Sequence, residues 1–121
     1  MSIYVKYDTP KELSDKTYTL VETARDTGKI KKGSNEVTKV VERGDAALVV
    51  MAADVDPPEI LAHMPMLCEE RKVAYAYVPS KAELGNATGL EKPTASIAIT
   101  DVGKGKPLYD EIVKALAALK Q

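Results

Sequence analysis

Apolar residues change their spacing several times along the chain, and each change marks an element. Between Pro10 and Thr27, Leu13, Leu20, Val21 and Ala24 return to one side at helical spacing, and Gly28 follows as a stop. Lys29–Lys32 is short and polar, the pattern of an edge strand. Gly33 or Ser34 then caps a second helix that runs to about Arg43 and stops at Gly44. Ala46–Ala52 is apolar throughout, as a strand covered on both faces requires. Asp56-Pro57-Pro58-Glu59 reads as a helix start, with Asp56 as cap and proline in the first turn. Pro65 interrupts the helical stretch begun there, leaving two short helices up to about Arg71. Val73–Val78 is a second buried strand and Ser80–Thr88 a further helix. Ala95–Thr100 is a third buried strand, in which Ile97 and Ile99 alternate with smaller residues. Pro107 opens a terminal helix with Leu108, Ile112, Val113, Leu116 and Leu119 on its apolar face.

Helices alternating with buried strands predict the α/β class, as a three-layer α/β/α sandwich around a mixed sheet of about four strands. No repeat or linker interrupts the pattern, so residues 1–121 read as a single domain. The core is expected to be aliphatic, because only 5% of residues are aromatic and there is no Trp or Phe. A single Cys excludes an internal disulfide framework and a thiolate-built zinc or iron–sulfur site. No apolar run approaches the roughly 18 residues of a membrane span, and no secretory h-region follows Met1. The expectation is a reduced, cytoplasmic protein without membrane association, monomeric when free.

A net charge of −1 and a pI near 5.9 argue against indiscriminate binding to phosphate chains. The local balance is different. Lys29, Lys31, Lys32, Lys39 and Arg43 against Glu36 and Glu42 leave +3 between Gly28 and Arg43, and −4 elsewhere. A compact basic segment on an acidic protein favours a defined anion site.

Placed at 100° per residue from Asn35, Lys39 lies at about 40°, Arg43 at about 80° and Glu36 at about 100°. Val37 at about 200° and Val41 at about 240° point toward the core, with Val40 at the border. The polar arc offers an amide, a carboxylate and an ammonium beside a helix N-terminus, where the free N–H groups of Gly33, Ser34 and Asn35 and the dipole favour a phosphate. Such groups suit base edges: lysine donates to guanine's major-groove acceptors and a carboxylate accepts from exocyclic amines. A solvated helix face has the same composition. In the segment from Gly85 to Pro93, Leu90 either forms an exposed platform for an unstacked base or tucks back into the core.

Other chemistry finds little footing. His63 and Cys68 sit in an apolar stretch split by Pro65, which suits packing better than a catalytic dyad. Asp54, Asp56 and Glu59 form an acidic group, yet helix capping accounts for Asp56 and Glu59 without a cation. No Walker loop or G-x-G-x-x-G is present. No catalytic residue, metal ligand or cofactor is therefore assigned. The competing class is a phospho-acceptor signalling module with Asp54 after a buried strand, but the first strand is followed by Gly33-Ser34-Asn35 and lacks the acidic pair such modules need.

The residues from Lys31 through Gly33-Ser34-Asn35-Glu36-Val37-Thr38-Lys39 to Gly44 resemble the signature of the kink-turn-binding family. Ala53–Ile60 and His63–Glu70 resemble its archaeal ribosomal branch, and Leu84-Gly85-Asn86-Ala87-Thr88-Gly89 matches a later loop entrance. The resemblance implies an RNA-binding protein that recognises kink-turns, a three-nucleotide bulge beside tandem sheared G·A pairs. It implies that Asn35, Glu36 and Lys39 read guanines, that Lys31, Lys32 and Arg43 hold phosphates, and that Gly33 allows close backbone approach. Leu90, Glu91 and Lys92 would line the loop beneath the extruded base. It further implies ribosomal RNA, box C/D and H/ACA guide RNAs and ribonuclease P RNA as partners, with fibrillarin and its scaffold protein joining through the particle, and a non-catalytic role. Two positions depart from the family pattern. Ser34 stands where Thr is usual, and Lys92 stands where archaeal members carry a small apolar residue and spliceosomal relatives a basic one.

Overall fold

The computed structural model describes residues 9–55, 61–90 and 92–119. Helix α1 (Lys11–Thr27) buries Leu13, Leu20, Val21 and Ala24, the side its spacing selects, with Pro10 just outside its first turn. Ser14 and Thr17 are buried on it as well, which the apolar pattern does not reveal. Thr17 is admissible there because its hydroxyl donates back to the Leu13 carbonyl at 2.8 Å. Strand β1 (Lys29–Lys32) leads into α2 (Ser34–Glu42), and β2 (Leu48–Ala52) follows. Then come α3 (Met64–Glu70), β3 (Ala74–Val78), α4 (Lys81–Ala87) and β4 (Ser96–Asp101). A short 3-10 turn at Gly103–Gly105, not foreseen from the sequence, introduces α5 (Lys106–Leu119).

The sheet is mixed and four-stranded, in the order β1-β4-β2-β3. β4 runs antiparallel to both β1 and β2, and β2 runs parallel to β3. Lys32 faces Ile97, Val50 faces both Ile97 and Ala76, and Leu48 faces Ile99. Every residue of β2 is buried, and adjacent strand residues face opposite ways, so both faces of the sheet are covered. Helices supply the covers: α1 packs with α4 and α5, and α2 packs with α3. This is the expected α/β/α sandwich.

Several boundaries differ from the sequence reading. β2 begins at Leu48 rather than Ala46, although Ala47 still donates to the Ile99 carbonyl at 2.7 Å. β3 begins at Ala74 rather than Val73, and β4 extends to Asp101. Pro65 stands in the first turn of α3, so it starts that helix rather than only ending an earlier one. The helix expected from Asp56 falls largely on residues outside those described. The core is also less purely aliphatic than composition implies. Tyr75 and Tyr77 are buried on β3 and meet edge to face, with ring centroids 5.9 Å apart.

Candidate nucleic-acid interface

The turn from β1 into α2 is made by Gly33, at the N-cap position with φ +91° and ψ 143°. That conformation is one that side chains rarely adopt, and open space surrounds the position a Cβ would take. Ser34 is the first helical residue, and no side chain caps the helix. The N–H of Gly33 is not free, as the sequence reading had it, but donates to the Ser96 carbonyl at 3.1 Å. Val37 makes the first bond of the helical ladder, to the Gly33 carbonyl at 2.9 Å, so the amides of Ser34, Asn35 and Glu36 lie ahead of it.

Val37, Val40 and Val41 are all buried, and Val40, placed at the border by the wheel, is as fully covered as the others. They fix the roll of α2. Asn35, Glu36, Lys39 and Arg43 are consequently set on its outer side. Lys39 Nζ stands 4.0 Å from Glu36 Oε1, and Arg43 Nε stands 3.6 Å from Asp45 Oδ2. Exposed pairs of this kind contribute little, so both cations can exchange partners readily. Lys31 and Lys32 are exposed on β1, immediately before the turn.

The second candidate region meets α2 at the same end of the sheet. β4 starts at Ser96, whose carbonyl receives the Gly33 amide and whose hydroxyl lies 3.4 Å from that of Ser34. The segment entering β4 carries Leu90, which is 40% exposed and so does not tuck into the core, and Lys92, which is exposed. Glu91 lies outside the described residues. The segment is seated on α4. Leu90 N–H donates to the Gly85 carbonyl at 3.1 Å, and Thr94 N–H donates to the Lys81 carbonyl at 3.0 Å. At Gly85 a Cβ would run into the Lys92 carbonyl oxygen, so only glycine permits this approach. Arg25 of α1 donates from Nη1 to the Ala87 carbonyl at 3.1 Å and packs beside Gly89.

Three roles escaped the sequence reading. Asp54, the phospho-acceptor and acidic-cluster candidate, accepts the Lys81 N–H at 2.8 Å and so anchors the start of α4. Thr38 and His63, 25 residues apart, join through Thr38 Oγ1 and His63 Nε2 at 2.9 Å. With Ser34, Asn35 and Lys39 they line one shallow concavity. Thr38 had a legible signal: at about −60° on the wheel it extends the polar face beyond Asn35. His63 had none, because its neighbours in sequence are apolar. Cys68 is buried, as packing required.

Fold and surface together define a small α/β/α sandwich that presents a basic, hydrogen-bonding helix start at one end of its sheet. Residues 15–109 match the model of the ribosomal protein L7Ae/L30e/S12e/Gadd45 family, and the chain belongs to that family. Among solved structures it is similar to the Giardia lamblia 15.5kD RNA binding protein, with 37% identity over 97% of each chain and a TM-score of 0.89. The chain is a binding protein and not an enzyme. The phospho-acceptor reading is left without support. Among the described residues no helix is long and apolar enough to cross a membrane.

Proposed function

We propose that the chain is a kink-turn RNA-binding protein of the archaeal ribosomal type, formed by one domain over residues 1–121 and acting in the cytoplasm. The observation that carries this reading is the outward arc of Asn35, Glu36 and Lys39 on a helix start whose other side is locked into the core by three valines. A rigid backing lets short polar side chains discriminate base edges. In this reading the three residues engage the guanines of sheared G·A pairs, and Lys31, Lys32 and Arg43 hold the flanking phosphates. Arg43 exchanges Asp45 for a phosphate oxygen. The positive φ of Gly33 leaves a side with no Cβ, where the RNA backbone comes close. Leu90, Glu91 and Lys92 line the support for the extruded base. Its family membership and its likeness to an RNA-binding protein support an RNA partner. The RNAs proposed are ribosomal RNA, box C/D and H/ACA guide RNAs and ribonuclease P RNA, with fibrillarin and its scaffold protein as particle partners.

Titration of a kink-turn RNA tests the reading. Asn35→Ala, Glu36→Ala and Lys39→Ala are each expected to weaken binding by about 5- to 150-fold, the value of one base-edge contact. Circular dichroism is expected to stay unchanged. Three folded variants that bind as tightly as the wild type would overturn the assignment.

A further inference from the structure

We propose that His63 is a positioning residue for the RNA-reading helix, acting through Thr38; this rests on the function proposed above. The Thr38 hydroxyl oxygen lies 2.7 Å from the Ser34 carbonyl oxygen and 2.9 Å from His63 Nε2. A hydroxyl has one proton, and a carbonyl oxygen can only accept. The proton therefore goes to Ser34, and His63 donates its Nε2–H to the hydroxyl's lone pair. This order of donation fixes which imidazole nitrogen carries hydrogen.

His63 stands at the N-cap position of α3, where its carbonyl accepts the Leu67 N–H at 3.1 Å. The bridge thus ties the first turns of α2 to the start of α3, on the flank the buried valines do not reach. A helix start lacks its own ladder bonds, so its first turn is free to fray unless something outside holds it. Thr38 is half-buried and His63 exposed, and both line the concavity that also contains Asn35 and Lys39. Loss of the bridge leaves the valine packing intact and loosens the placement of Asn35 and Lys39. Base-edge recognition depends on that placement to within about 0.5 Å.

The test is a two-residue cycle read by titration with a kink-turn RNA and with the same RNA carrying Watson–Crick pairs in place of the G·A pairs. His63→Ala and Thr38→Val are each expected to bind the kink-turn roughly 2- to 12-fold more weakly, the range of one neutral hydrogen bond. Discrimination between the two RNAs is expected to shrink by a similar factor. The double variant is expected to lose no more than either single one, because one shared contact has gone. His63→Gln keeps an N–H donor at the Nε2 position and is expected to return within about twofold of wild type. The slope of affinity against salt is expected to stay unchanged, since no phosphate contact is removed. Thr38→Val keeps the shape and stands in if His63→Ala folds poorly. His63→Ala binding like the wild type, losses that add in the double variant, or a flattened salt slope would each overturn the proposal. Failure of the wild type to prefer the kink-turn overturns the RNA function and this inference with it. A wild-type preference with unchanged variants overturns this inference alone.

Discussion

Leu90 is a large apolar side chain left 40% exposed at the entrance to β4. Exposed leucines are common, so exposure alone means little. Its backbone, by contrast, is held: the N–H bonds to Gly85, and Gly89 before it carries φ +82° against Arg25. A fixed, uncovered apolar surface of this kind suits a base face. Leu90→Ala is expected to weaken kink-turn binding by roughly 1–2 kcal/mol, from lost apolar burial at about 25 cal/mol per Å². Thermal stability is expected to change by less than about 0.5 kcal/mol, since the side chain supports little of the core. Calorimetric titration beside melting curves separates the two quantities. At this scale the sequence was informative about direction. Valine spacing told which way Asn35, Glu36 and Lys39 face, because one helix has one periodicity. It left both fates of Leu90 open, because a loop has no periodicity to read.

Among the elements, the pairing of α4 with the segment after it depends on Gly85. In an isolated helix, alanine there would be favourable by up to about 1 kcal/mol. Here the Lys92 carbonyl occupies the space, and backbone is a neighbour that cannot rotate away. Gly85→Ala is expected to destabilise the fold by about 1–3 kcal/mol, as overpacking does, measured as a lower denaturant midpoint. It is also expected to lower the affinity of the folded fraction for a kink-turn, since the displaced segment carries Leu90 and Lys92. The start of α4 was legible through its capping side chain. Ser80 accepts the Glu83 N–H at 3.2 Å, at the helix start read from the sequence. Asp54 was left without a role because its partner, the Lys81 amide, lies 27 residues away.

Across the whole molecule, α1 is tied to α4 through a tyrosine. Tyr18 donates its hydroxyl to the Ser80 carbonyl at 3.3 Å and accepts the Ser80 N–H at 3.2 Å. Burial pushes the Tyr18 and Tyr75 phenols up to about 12 from 10.0. A raised value in the folded state means the neutral phenol is the form that folding favours. Their contribution is thus complete below pH 10 and is lost as pH rises through about 12. Melting temperature is expected to fall across that interval, and Tyr18→Phe is expected to reduce the slope; an unchanged slope would place the ionisation elsewhere. The layer architecture was legible because buried strands read as continuous apolar runs. The strand order was not. Nothing in the local pattern of Ser96–Asp101 shows that it lies between β1 and β2, because pairing is settled by surfaces from distant parts of the chain.

That insertion has a consequence during synthesis. Among the described residues β1 has β4 as its only neighbour in the sheet, and the turn into α2 is pinned by the Ser96 carbonyl. Lys29–Lys32 and the helix start beside it are translated early, yet neither acquires its hydrogen bonds to β4 until Ser96–Asp101 has emerged. Contacts this distant in sequence form slowly and late. A nascent or prematurely ended chain therefore carries the whole signature from Lys31 to Arg43 without the scaffold that gives it shape. In the function proposed above, the order of the strands makes RNA competence wait for β4, so a chain that stops short of Ser96 has the binding residues without the anchor of their turn.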